Sequence, residues 1–183
     1  MQEIMKIKLG LLSKIIIAIA LGIAFGFFFP VLAMVLTPFL GYFLDRIGKG
    51  ATMLMAGSII MLACHICFAF LLPAVPQKWL AVTLIVILGF SFSLVPASLW
   101  PSVPKIIDEK VLGSAYCLIF WIQNFGLCFV PMLIGNLRQS TGGYLVPELV
   151  FSAFGVLALL LSILLKREDV KSGYGLELPN IKD

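Results

Sequence analysis

Charged side chains are scarce in this chain of 183 residues. Asp, Glu, Lys and Arg together make up 12% of it, whereas hydrophobic residues make up 61% and the mean hydropathy is +1.11. A soluble domain carries about 25% charged residues, so the composition excludes an ordinary water-soluble protein. The apolar runs are long enough to cross a bilayer and nearly free of charge, which predicts an integral membrane protein with lipid as its first partner.

Groups that carry chemistry are also few. The spans and their flanks hold no nucleophile–base set, no paired acids and no metal cluster, so an enzyme is not expected. Cys64, His65 and Cys67 superficially resemble a metal site, but an ion at that depth would need charged ligands and an entry path. With Cys117 and Cys128, these cysteines are expected to pack inside spans. We expect no metal or other cofactor and, since the cations sit in short clusters beside apolar spans, no nucleic-acid partner.

Long apolar segments dominate what is present. Four of them reach the length of a membrane-spanning helix, about 20 residues: 51–72, 80–100, 113–135 and 147–165. A further segment, 11–44, predicts one main span ending near Leu44 after an irregular apolar stretch, with a kink at Pro30 or Pro38. The prediction is an all-α polytopic bundle of about five helices over residues 1–166, followed by a solvated cytoplasmic tail, 167–183.

The positive charges predict the orientation of this bundle. If residues 45–50 are cytoplasmic, the loop at 101–112 and the C-terminus lie on the same side. Cations on that side outnumber Lys78 and Arg138 on the other, as the positive-inside rule requires. The protein is then expected in the plasma (inner) membrane with a cytoplasmic C-terminus. Lysines near residue 1 fit only if segment 11–44 crosses twice or if the chain begins inside a longer protein.

Residues 41–50, GYFLDRIGKG, place a compact run of charge and glycine between two apolar segments. Because charge is costly in hydrocarbon, this decapeptide predicts a tight turn at the membrane surface. Its pattern resembles the signature loop of the major facilitator superfamily of secondary transporters. Three more segments resemble the C-terminal half of the branch that includes lysosomal dipeptide transporters: 90–104 (FSFSLVPASLWPSVP), 112–116 (LGSAY) and 122–126 (IQNFG).

The resemblance implies a fold and a function. Carriers of this superfamily have twelve helices in two six-helix halves, and about four spans follow the signature loop here. The chain is then expected to be an incomplete C-terminal half that lacks its N-terminal partner half and forms one wall of the solute site. It would move a small organic solute, such as a dipeptide, by alternating access. The alternative is a small membrane anchor or assembly subunit without transport activity.

The signature segment, residues 41–50, is predicted to form a gate from Gly41, Asp45, Arg46, Gly48 and Lys49. Gly41 would let two helices approach closely, and Asp45 would cap a helix N-terminus. Arg46 would pair with a carboxylate or with helix-end carbonyls, and Gly48 and Gly50 would permit a sharp turn. The resemblance implies that this gate latches the outward-open state; an ordinary charged turn is the other interpretation.

Polar residues inside the spans are the candidates for the solute pathway: Ser91, Ser93, Trp100, Tyr116, Gln123 and Asn124. Buried amides are costly in lipid unless they are paired, so Gln123 and Asn124 mark either a pathway or a contact between helices. The serines could instead pack helices, and Trp100 could be an interfacial anchor. His65 is a possible proton site or a hydrogen-bonded structural histidine. No carboxylate is placed clearly at mid-membrane depth, which favours facilitated diffusion over proton coupling.

Overall fold

The computed structural model of the protein describes residues 34–181, and every regular element in this part is a helix. In chain order the helices are α1 (34–47), α2 (Gly50–Ile66), α3 (Lys78–Ile106), α4 (Leu112–Thr141) and α5 (Leu145–Ser172). A π-helical turn, Cys67–Leu71, and a short α turn, Leu72–Ala74, prolong α2, and a 3₁₀ turn, Glu109–Val111, precedes α4. The predicted all-α bundle is confirmed.

Four of the helices are long and apolar enough to cross a membrane: Gly50–Ala74, Lys78–Ile106, Glu109–Thr141 and Leu145–Ser172. Each contains one of the predicted spans and is longer than it. Only the end of the predicted first segment lies among the described residues, where α1 is helical across Pro38 and ends at residue 47, beyond Leu44. The prediction for residues 1–30, including a kink at Pro30, lies outside the described residues.

Prolines do not end α3, so the predicted end of this span near Trp100 is wrong. The helix contains Pro96, Pro101 and Pro104 and continues to Ile106. A proline has no N–H for the carbonyl four residues before it, but neighbouring groups can satisfy that carbonyl. Pro104 leaves the carbonyl of Trp100 without its helical donor, and the Tyr116 hydroxyl on α4 donates to that oxygen at 3.2 Å.

Small residues bring α2 into close contact with both α3 and α5. Ser91 Oγ on α3 donates to the carbonyl of Gly57 on α2 at 2.6 Å. A Cβ added at Gly155 on α5 would lie 3.2 Å from Cβ of Leu62. Small residues at such contacts let helix backbones approach. By contrast, α4 has no buried residue within the described part of the chain.

The segment after α5 is not the solvated extension that its mixed charge predicts. Helix α5 continues through the predicted start of the tail and ends at Ser172, where Gly173 takes a φ of +68°. The chain then folds back across the helix ends, and only 1% of Leu176 is exposed. Tail backbone amides and carbonyls pair with groups on the signature segment, which holds the tail against the bundle.

Candidate solute groove and gate

Two neighbouring grooves run along the face between α3 and α4. One has a volume of about 350 Å³ and the other about 740 Å³, and both are bordered by Phe92 and Gln123. The first reaches Met61 on α2, and the second follows α4 towards Phe151 on α5. No charged side chain of the described residues lines either groove. Gln123 therefore offers an amide donor and acceptor on a wall that is otherwise largely apolar.

Trp100 borders the first groove and contacts two aromatic rings of α4 that lie outside its lining. The indole of Trp100 stacks against Phe120, with ring centroids 4.9 Å apart, and lies 6.0 Å from the ring of Tyr116. The structure thus brings the predicted residues Trp100 of α3 and Tyr116 of α4 together. Gln123 lies further along α4. Trp79, at the other end of α3, is 82% exposed, as an interfacial anchor would be.

Four predicted pathway residues line neither groove: Ser91, Ser93, Tyr116 and Asn124. Ser91 and Ser93 are fully buried. Ser91 bonds to the Gly57 carbonyl, and Ser93 donates to the Gly89 carbonyl of its own helix at 3.0 Å. Side chains with no exposed surface do not contact a solute in this conformation, and helix packing accounts for both hydrogen bonds. Asn124 lines neither groove, and its Nδ2 donates to the Phe120 carbonyl at 2.8 Å.

The signature segment contains a shorter turn than its sequence predicts. Residues 41–47 belong to α1, because their amides continue the helical pattern as far as the bond from Gly48 N to the Leu44 carbonyl. The turn consists of Gly48 and Lys49, with φ values of +75° and +61°, and α2 begins at Gly50. Lys49 is the only non-glycine residue with positive φ in the described part of the chain.

The side chains of this segment make contacts other than the expected ones. An added Cβ at Gly41 would meet no described atom within 4 Å, so this glycine makes no close contact with the helices of residues 48–172. Arg46 lies over the ring of Tyr42, 5.0 Å from its centroid, and forms no ion pair with the described carboxylates. Asp45 does not cap α2: its Oδ1 accepts from Asn180 Nδ2 at 2.6 Å. The carboxylate at the start of α2 comes from Glu177.

His65 has a partner that the sequence did not indicate. Its Nδ1 lies 2.8 Å from Oε2 of Glu148 in the first turn of α5, and its ring stacks on Phe151 at 5.0 Å. Phe151 also borders the larger groove, so the His65–Glu148 pair lies next to a groove residue. A single acid at the start of an apolar span, Glu148, is the sequence signal that could have indicated this partner. Residues 34–181 contain no group of three or more His, Cys, Asp or Glu side chains that could hold a metal ion.

Known transport proteins resemble this chain, although no protein-family model matches it. The lysosomal dipeptide transporter MFSD1 of Bos taurus is 36% identical over 135 residues, which are 74% of this chain and 27% of the relative. The protein of the same name from Danio rerio is 34% identical over 142 residues, 78% of this chain and 29% of the relative. The inner membrane transport protein YdiN of Escherichia coli is 31% identical over 117 residues, 62% and 26% of the two chains. The chain thus spans little more than a quarter of these relatives.

Proposed function

Because the chain belongs to the major facilitator superfamily, we propose that it forms one wall of a secondary carrier that moves a small organic solute by alternating access. It is an integral membrane protein, with apolar helices of spanning length, and its relatives named above are transporters rather than enzymes. The names of the bovine and zebrafish relatives point to dipeptides as the solute class.

One observation carries the proposal: the amide of Gln123 faces a groove on α4 instead of a neighbouring helix. An amide turned towards hydrocarbon without a partner costs free energy. A solute with peptide groups would supply both the donor and the acceptor that this amide needs. The aromatic rings of Trp100 and Phe92 on the same groove offer flat apolar surface for the rest of such a solute.

The opposite wall of the site is proposed to come from a second helix bundle, the N-terminal half of the carrier. Helix α4 carries no buried residue in the described part of the chain, yet it presents Gln123 and Asn136 along its length. Polar groups on a spanning helix usually face protein or a water-filled cavity. The relatives are almost four times as long as the matched stretch, so they have room for such a bundle.

The membrane and the orientation are part of the proposal. The positive charges favour a cytoplasmic position for the Gly48–Lys49 turn and for the C-terminus. One relative is named for the lysosome and another for the bacterial inner membrane. The plasma (inner) membrane agrees with the second name and differs from the first.

A membrane anchor without transport activity is the alternative. It is favoured by polar side chains that bond between helices or within one helix. Ser91 joins α3 to α2, and His65 joins α2 to α5 through Glu148. Asn124 bonds only within its own helix among the contacts of the described residues. These groups stabilise the helices and their packing, which an anchor needs as much as a carrier does.

Gln123→Leu in the full-length protein that contains this chain separates the two functions. We expect uptake of a labelled dipeptide into proteoliposomes to lose about tenfold in Vmax/KM, since one lost hydrogen bond to a solute is worth about 1 kcal/mol or slightly more. Asn124→Leu is the matched control, because its amide lies outside both grooves, and it should stay within about twofold of the unmodified protein. Equal uptake by both variants would remove the groove from the pathway, and no uptake by the unmodified protein would favour the anchor.

A further inference from the structure

The residues after α5 form a clasp on the signature segment; we use "C-terminal clasp" for residues 173–181. Four backbone hydrogen bonds join the two parts of the chain. Lys49 N donates to the Glu177 carbonyl at 3.0 Å and Gly50 N to the Leu176 carbonyl at 2.9 Å. In return, the amides of Asn180 and Ile181 donate to the Asp45 carbonyl at 2.8 and 3.0 Å. The turn and the clasp thus satisfy each other's backbone groups.

Glu177 supplies the cap that α2 otherwise lacks. The residue before this helix, Lys49, makes no side-chain cap hydrogen bond. Oε1 of Glu177 accepts from the backbone amide of Thr52 at 2.8 Å, and both carboxylate oxygens accept from the Thr52 hydroxyl at 2.9 and 2.8 Å. A carboxylate at a helix N-terminus satisfies an unpaired amide and interacts favourably with the positive end of the helix dipole. The acid that does this lies 125 residues away in sequence.

Three further contacts tie the clasp to the other helix ends. Lys105 Nζ on α3 donates to the carbonyls of Gly175 and Leu178 at 3.0 and 2.9 Å. Asp169 on α5 accepts from the buried amide of Leu176 at 2.9 Å. Lys166 Nζ, also on α5, lies 4.0 Å from Oε1 of Glu177 and donates to the hydroxyl of its partner Thr52 at 2.6 Å. With Asp45 on α1, the clasp contacts groups at the ends of α1, α2, α3 and α5.

The glycines of the signature segment fit this contact. A Cβ added at Gly48 would lie 2.5 Å from the Glu177 carbonyl oxygen, and one at Gly50 would lie 3.0 Å from the Leu176 carbonyl oxygen. Gly41, which has no clasp residue near it, would meet no described atom within 4 Å. Two of the three glycines thus leave room for the clasp backbone, which a turn facing only water would not require.

We infer that Glu177 is a positioning residue of the gate: through its carboxylate and the clasp that carries it, the C-terminal tail fixes the conformation of the Gly48–Lys49 turn at the start of α2. The inference rests on the proposed carrier function for its transport effect, but not for its effect on the turn. The clasp connects the ends of four helices by hydrogen bonds, so a change in the clasp acts on the turn and on the helices around it together.

The test compares Glu177→Gln with Glu168→Gln in the full-length protein. Glu168 is an exposed acid of α5 whose described contacts are Lys171 and Ser172, both within its own helix or at its end. Hydrogen exchange of residues 48–53, measured in lipid nanodiscs, should be at least about tenfold faster in Glu177→Gln, since hydrogen bonds to a charged group are among the strongest. It should be unchanged in Glu168→Gln.

Dipeptide uptake per folded molecule provides the second readout. Glu177→Gln should lower Vmax severalfold and leave KM unchanged, because the clasp is separate from the residues that line the grooves, whereas Gln123→Leu acts on the groove itself. Asn180→Ala, which releases Asp45 without removing a charge, should change exchange and Vmax in the same direction and serves if Glu177→Gln does not fold.

Each failure has its own meaning. Unchanged exchange at residues 48–53 in both clasp variants would overturn the positioning role of Glu177. Faster exchange with unaltered Vmax would show that the clasp is structural only and has no part in the gate. Absence of uptake by the unmodified protein would refute the proposed function, and the exchange measurement would still decide whether Glu177 positions the turn.

Discussion

At the scale of single residues, the contact between the C-terminal clasp and the turn accounts for the positive φ of both Gly48 and Lys49. Both residues have positive φ, a region that costs an L-residue about 1 kcal/mol or more. Glycine avoids that cost at position 48, and a lysine bears it at position 49. The backbone bonds of Lys49 and Gly50 to the carbonyls of Glu177 and Leu176 compensate for the cost.

Gly48→Ala should destabilise the protein more than Gly142→Ala does. Both glycines have positive φ, +75° and +68°, but an added Cβ meets the Glu177 carbonyl at Gly48 and no described atom within 4 Å at Gly142. At Gly142 we expect a loss of about 1 kcal/mol of stability, the cost of placing an alanine at positive φ. At Gly48 we expect about 3 kcal/mol, because the clasp must also shift and lose hydrogen bonds. Thermal unfolding in detergent measures both, and equal losses would contradict the contact.

Residue chemistry could be predicted from the sequence more readily than residue partners. The charge and glycine of residues 41–50 indicate a turn at the membrane surface, and a short turn is there. The sequence assigned the helix cap to Asp45 because that acid is local, whereas Glu177, 125 residues from Thr52, provides it. Nothing in the local pattern connects two such distant positions. For Ser91 and Ser93, sequence could not tell a groove from a helix contact, since either needs a small polar side chain.

At the scale of helices, α2 and α5 meet through Gly155. The Cβ and Cα of Leu62 would lie 3.2 and 3.3 Å from a Cβ added at this glycine. In a bilayer, helices associate largely through close packing of this kind, because lipid and side chains are similarly apolar. The contact between the two helices also includes the His65–Glu148 pair, so a change in their separation would disturb that pair.

Gly155→Leu should therefore separate α2 from α5. We expect a loss of about 1–3 kcal/mol of stability, the usual cost of overpacking. Ala158→Leu, an exposed position on the same helix, makes the same kind of small-to-large change without this neighbour and should cost less than about 0.5 kcal/mol. Apparent melting temperatures of the two variants provide the comparison. A similar shift for both would mean that the glycine is not a packing contact.

The helices were predictable in number and place, but not in their ends. Apolar runs bounded by proline, glycine or charge indicated the four spans that the structure contains. Pro101 and Pro104 follow directly after the predicted span 80–100, and proline breaks helices in water. In α3 the Tyr116 hydroxyl replaces one of the missing donors, so the helix continues. The π turn at Cys67–Leu71, just before Pro73, similarly carries α2 on to Ala74.

At the scale of the whole molecule, the cations gather at one end of the bundle. Lys105 and Lys166 both reach the C-terminal clasp or its partner Thr52, which places the ends of α3 and α5 beside the signature turn. Helix direction puts Lys78 and Arg138 at the opposite end, near the start of α3 and the end of α4. The sequence pattern predicted this separation. At the cationic end, Lys105 contacts the clasp directly.

This separation predicts which end faces the cytoplasm. In a cysteine-free background, Ile47→Cys beside the turn should react with a membrane-impermeant maleimide only after sealed right-side-out vesicles are opened. Gln77→Cys, in the loop before α3, should react in intact vesicles. The reason is the positive-inside rule acting on the cationic end. Labelling of Ile47→Cys from outside, with Gln77→Cys protected, would invert the topology and place the clasp and its gate on the outer face.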